Sequence, residues 1–90
     1  MRVVTHLEIR HVKYNGSDKA DSYNIPISNP DGFGVYEGIN INDGFWTGFI
    51  LHWLTDRATH KAALKYAKQY CKIYNLKLID RTQGDLHVET

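Results

Sequence analysis

Three turn signals, Asn15-Gly16, Asn29-Pro30-Asp31-Gly32 and Asn42-Asp43-Gly44, cut the first part of this chain into four short segments. That punctuation limits the fold more than any other feature, because short polar turns leave the segments they join antiparallel and adjacent. In the second turn, Pro presets φ and Gly tolerates positive φ. The third has the composition of a hairpin turn. Val3 to Tyr14 alternates, with Val3, Leu7 and Ile9 on one parity and Glu8 and Arg10 on the other, as in a half-buried strand. Ser22 to Ser28 predicts a second strand carrying Tyr23, Ile25 and Ile27 on one face. Pro26 has no amide donor and places that strand at an edge. Phe33 to Ile39 predicts the third strand and Phe45 to Leu54 the fourth. Phe45, Phe49 and Trp53 also fit the i, i+4, i+8 spacing of a helix, but Gly44, Gly48 and the preceding turn favour a strand.

One stretch breaks this rhythm. Thr59 to Asn75, THKAALKYAKQYCKIYN, has helical periodicity. Ala63, Ala67, Tyr70 and Tyr74 share one arc, with Leu64 and Cys71 beside them, and that arc predicts the packed face. Asp56 or Thr59 serves as N-cap and Asn75 as a left-handed C-cap. Leu76–Asp80 and Leu86–Glu89 then read as a short hairpin across Gln83-Gly84-Asp85. The order is β-β-β-β-α-β-β. The expected fold is a single α+β domain over residues 1–90. It has an antiparallel sheet of about four strands, one C-terminal-half helix packed on it, and a terminal hairpin. A chain of 90 residues supports one small core and no deep substrate cavity.

Charge divides the chain. Residues 1–56 carry four cations against seven carboxylates, net −3, and residues 57–90 carry seven against three, net +4. No acidic residue lies between Asp56 and Asp80. Lys61, Lys65, Lys68 and Lys72 fall within a narrow arc opposite the packed face of the helix. Neighbouring like charges at i+3 and i+4 cost about 0.2–0.5 kcal/mol a pair, so roughly 1 kcal/mol over the three pairs. A polyanion or an acidic protein surface would offset that cost, and each phosphate neutralised would also release counterions. The bland alternative is a solvated face whose lysines pair with the acidic N-terminal half. Arg57, Lys77 and Arg81 would extend a binding patch.

At Thr59-His60-Lys61-Ala62-Ala63-Leu64 the chain is similar to the double-stranded-RNA-binding domain, whose last helix opens with a Ser-Lys-Lys-x-Ala-Lys motif. Thr59, Lys61 and Ala63 match. His60 and Leu64 stand where that motif has lysine, and no helix precedes the strands. The resemblance implies only a tilt toward nucleic acid as the partner.

The fourth strand is apolar on both parities, with Phe45, Phe49, Leu51 and Trp53 on one and Trp46, Ile50 and Leu54 on the other. A single helix covers one face of a sheet. The other face must be covered by the terminal hairpin, by a second copy of the chain or by another protein. Trp46, Phe49 and Trp53 are therefore interface candidates, including for a homodimer.

Catalytic signatures are sparse. His6, His11, His52, His60 and His87 lack metal-ligand spacing. An acid–base role for His52 or His60, with Glu37 or Lys61, is the remote ribonuclease alternative. No glycine-rich phosphate cradle or serine nucleophile elbow is present. Cys71, the single cysteine, cannot form an intrachain disulfide. On the packed face it should be inert, and it fits a reducing, cytoplasmic setting. The N-terminus reads as lacking a signal peptide, and no apolar run is long enough to span a membrane. The expectation is a small non-enzymatic binding protein without cofactor or metal. Its lysine face docks on an anionic macromolecule, nucleic acid ahead of an acidic protein surface. The alternative is a small inhibitor or adaptor of the kind phages and plasmids encode, which blocks a larger protein through the basic helix and the aromatic strand.

Overall fold

The computed structural model describes residues 1–16, 20–83 and, as a strand, 87–89. Strand β1 (Arg2–Tyr14) is the spine. It pairs antiparallel along its length with β3 (Gly32–Asn42), which pairs antiparallel with β4 (Thr47–Arg57). The other side of β1 is shared. His11–Tyr14 pairs antiparallel with β2 (Ala20–Tyr23), and His6–Ile9 pairs in parallel with β5 (Lys77–Asp80). Strand β6 (His87–Glu89) completes the sheet antiparallel to β5, in the order β4-β3-β1-β5-β6. The turn expected at Gln83-Gly84-Asp85 reaches outside the described residues.

The fold is α+β, as the patterning predicts, with one addition. Two antiparallel steps make β4 parallel to β1, and β5 is parallel to β1 as well. Strands of like direction cannot be joined by a hairpin. Between β4 and β5 the chain must cross the sheet, and α1 (His60–Tyr74) is that crossover. Crossing β3 and β1 lays Ala63, Ala67 and Cys71 on Leu7, Ile9, Val35 and Leu78, which together form the core. Two alanines in this seam let the helix approach the strands closely.

Local chemistry explains the boundaries. Thr59 is the N-cap, its hydroxyl accepting from Ala62 N at 3.2 Å. Asn75 closes the helix in the left-handed conformation at φ 55°, and Leu76 N donates to Cys71 O at 3.0 Å. At the β3–β4 turn Gly44 takes φ 91°, and the Asp43 carboxylate accepts from Phe45 N (3.1 Å) and Trp46 N (2.7 Å). Residues 47–57 are a strand, so the helical spacing of Phe45, Phe49 and Trp53 does not decide the structure there.

Three expectations need correction. The second strand stops at Tyr23 rather than Ser28. Beyond it, Ile27 N donates to His11 Nδ1 at 3.0 Å instead of joining a ladder, after a proline that can offer no ladder donor. In the Asn29–Gly32 turn, the positive φ (56°) belongs to Asn29, while Gly32 already starts β3. Tyr74 is 60% exposed, not core. It sits in the last turn, where its ring packs on Tyr70 at 4.6 Å between centroids. Among the described residues no helix is long and apolar enough to cross a membrane.

Candidate functional site

With Ala63, Ala67 and Cys71 held against the sheet, helical geometry turns Lys61, Lys65, Lys68 and Lys72 away from it. All four are exposed. They occupy an arc of about 60°, and their row is about 16 Å long at 1.5 Å rise per residue. Among the described residues none of the four has a carboxylate within ion-pair distance. Glu8, Glu37 and Asp80 have other partners, so among the described residues no carboxylate pairs with the lysine face.

The row ends in a groove of about 540 Å³ where the C-terminal turn of α1 meets β5. Lys68 and Lys72 from the helix and Lys77 from the strand line it, with Leu76 and the buried Cys71 and Leu78 between them. The fold thus brings Lys77 beside Lys68 and Lys72. Burial raises the Cys71 thiol above its ordinary range, so this groove is electrostatic rather than nucleophilic. Arg57, at the other end, lies 5.1 Å above the Tyr66 ring. That contact anchors it beside the helix as a further exposed cation.

Arg81 goes elsewhere. Its Nε donates to Glu8 Oε1 at 3.0 Å, on the sheet face opposite the helix. Glu8 is 2% exposed and also accepts from His6 Nε2 (2.8 Å) and Arg10 Nη1 (3.2 Å). Burial pushes its carboxyl up. The hydrogen bonds from Arg81 and His6 and the charges of Arg81 and Arg10 outweigh burial and hold it below its ordinary value. This cluster is invisible to a motif search. Its one trace in the sequence is that His6, Glu8 and Arg10 share a parity; Arg81 is supplied by the first residue after the parallel strand β5. Glycines shape the same face. A Cβ at Gly38 would lie 2.4 Å from the His6 ring and one at Gly34 2.6 Å from Tyr36, so both rings lie flat on the sheet.

Phe49 and Trp53 border this cluster, 48% and 56% exposed. Phe49 stacks on His6 with centroids 5.8 Å apart, and Trp53 Nε1 donates to Asp56 Oδ1 at 2.9 Å. Trp46 does not join them. Its indole covers the Cα of Gly48, on the opposite parity of β4, so the three interface candidates divide between two faces. Strand β6 extends the sheet edge beside β5, at the far end of the sheet from β4.

His52 and His60 pair with carboxylates. His52 Nδ1 donates to Glu37 Oε1 at 2.9 Å, and Tyr70 Oη donates to the other oxygen at 2.7 Å. Burial, and then the bond to Glu37, raise the Tyr70 hydroxyl far above its ordinary value. The His52–Glu37 proximity that the ribonuclease alternative needs is therefore present, but both Glu37 oxygens are engaged. His60 Nε2 donates to Asp80 Oδ2 at 2.6 Å, away from His52. Asp80 is raised by burial but held low overall by Thr82 and His60. Among the described residues no three metal-ligating side chains converge. Comparisons with protein-family models, curated proteins and solved structures gave no match.

Proposed function

We propose that this protein is a non-enzymatic binding module that docks on nucleic acid through the outer face of α1. The observation that carries this reading is the alignment of Lys61, Lys65, Lys68 and Lys72, exposed and without carboxylate partners among the described residues, with Lys77 at the end of the row. A row of about 16 Å matches roughly five steps along a duplex at about 3.4 Å per step. Contacts of this kind go to phosphates, so they set position and affinity and leave base sequence unread.

The test is fluorescence anisotropy with labelled single-stranded DNA, duplex DNA and duplex RNA. If all five lysines neutralise a phosphate, log K against log salt has a slope of about −4.5 on duplex DNA, and affinity falls about 100-fold between 50 and 150 mM salt. Lys65→Glu with Lys68→Glu removes two contacts and adds repulsion. The slope then drops to about −2.7 or less and the loss over the same interval to about 20-fold. Both positions are exposed, so the circular-dichroism spectrum stays unchanged. Absence of binding at the lower salt, or unchanged affinity in the double variant, rejects the proposal.

An acidic protein surface is the second reading, favoured by the half-exposed Phe49 and Trp53. A protein partner of the inhibitor or adaptor class would bury these rings on the sheet face opposite α1, and would reach the lysines only by wrapping around the domain. The nucleic-acid panel would then be blank.

A further inference from the structure

We propose that β4 is the seam of a symmetric dimer, in which the β4 edges of two copies pair antiparallel about a two-fold axis at Leu51. Strand β4 ends the sheet, and among the described residues nothing pairs with its outer side. Natural sheets protect such edges with lysine, proline or very short strands. The other free edges follow that rule, with β6 three residues long and β2 four. Strand β4 does not. It is 11 residues long, and from Gly44 to Thr55 the chain has neither proline nor any Asp, Glu, Lys or Arg. Its one irregularity, a register shift at Leu54, leaves Thr47–Trp53 as a regular pairing segment.

That segment is self-complementary. Phe49, Leu51 and Trp53 share one parity, with the two rings equidistant from Leu51. An antiparallel pair centred on Leu51 sets each Phe49 opposite the other copy's Trp53. It sets Leu51 opposite itself and Ile50 opposite His52. Aromatic pairs directly across an antiparallel ladder are favourable, and Thr47–Thr55, free of Asp, Glu, Lys and Arg, meets no such charge in its own copy in this register. A charged partner strand would gain nothing along this stretch, which favours a second copy over an acidic protein at this edge.

The contact is small. Four rings of about 150–250 Å² each, already half buried, contribute roughly 300–500 Å², so the interface belongs to the weak class below about 1,200 Å². The dimer therefore forms and dissociates with concentration. A two-fold axis normal to the sheet keeps both helices on the same side. Two lysine rows then share one surface, a consequence that rests on the anion-docking reading, whereas the pairing itself does not.

Two measurements test the pairing without nucleic acid. Sedimentation velocity across concentrations up to about 1 mM should show the mass rising from the 10.4 kDa monomer toward twice that value. Leu51→Lys, which brings two like charges together at the axis, should hold it at the monomer. Leu51→Cys provides a readout that does not depend on the lysine variant folding. Facing residues of a strand pair have Cβ atoms about 4.5–5.5 Å apart, near disulfide range. Oxidation should therefore link Leu51→Cys chains into dimers. Thr47→Cys should stay unlinked, because its copies lie about 26 Å apart in this register. A monomer at every concentration, or equal cross-linking from Thr47→Cys and Leu51→Cys, overturns the proposal.

Discussion

Replacing Glu8 with Gln tests the physics of the far sheet face. The carboxylate is 2% exposed and holds two cations, Arg81 at 3.0 Å and Arg10 at 3.2 Å, together with the His6 ring at 2.8 Å. Gln keeps the shape, removes the charge and offers one acceptor oxygen where there were two. His6 and Arg10 have side chains only 14% and 12% exposed and stay inside, whereas Arg81, at 29%, has room to turn to water. Breaking a buried ion cluster from one side costs about 3–5 kcal/mol. The escape of Arg81 puts the expected loss near the lower end, about 3 kcal/mol. A 90-residue domain has only about 5–13 kcal/mol in total. Tm should fall by roughly 12–24 °C at neutral pH.

The same substitution predicts a pH dependence. Glu8 has a folded-state pKa below its ordinary value of 4.5. Its contribution to stability is therefore fully present above about 4.5 and is lost as pH falls through the folded pKa. The Gln variant has no such proton to take up. Thermal melts followed by circular dichroism from pH 7 down to pH 3 should show the two proteins converging on acidification. Protonation of Asp80 and the other carboxylates is common to both and cancels in the difference. A Tm difference under about 4 °C at pH 7, or one that does not narrow in acid, would refute the assignment of Glu8 as the electrostatic centre of this face.

Two further outcomes are expected. Thr59→Ala removes the hydroxyl that accepts from Ala62 N. It should cost about 1 kcal/mol, or roughly 4–8 °C in Tm, with no change in the folded spectrum. Gly38→Ala should cost about 1–3 kcal/mol, because the new methyl meets a His6 ring already fixed by Glu8, Phe49 and Thr5. Chemical denaturation of both variants checks these values, and an unchanged midpoint for Gly38→Ala would mean that the ring moves freely.

Much of the architecture is readable along the chain, because the forces that set it are local. Turn chemistry at Asn42-Asp43-Gly44, the alternation of Leu7 and Ile9 with Glu8, and the capping of α1 by Thr59 and Asn75 each depend on residues a few positions apart. The lysine row is readable for the same reason, since helical spacing alone places Lys61, Lys65, Lys68 and Lys72 together. Where local rules mislead, a neighbour distant in sequence or the end of an element intervenes. Ile27 leaves the expected strand to bond His11, and Tyr74 lies in the last turn of the helix, away from the buried seam of Ala63, Ala67 and Cys71.

By itself the sequence determined the element types, the single helix and the segregation of its charge. Only the tertiary structure decided that β5 lies parallel beside β1. From that one pairing come the helix crossing, the groove that joins Lys77 to Lys68 and Lys72, and the delivery of Arg81 to Glu8. Parallel pairing joins residues that no turn connects, and the burial of Glu8 is fully compensated only once the docking of β5 has brought Arg81 to join His6 and Arg10.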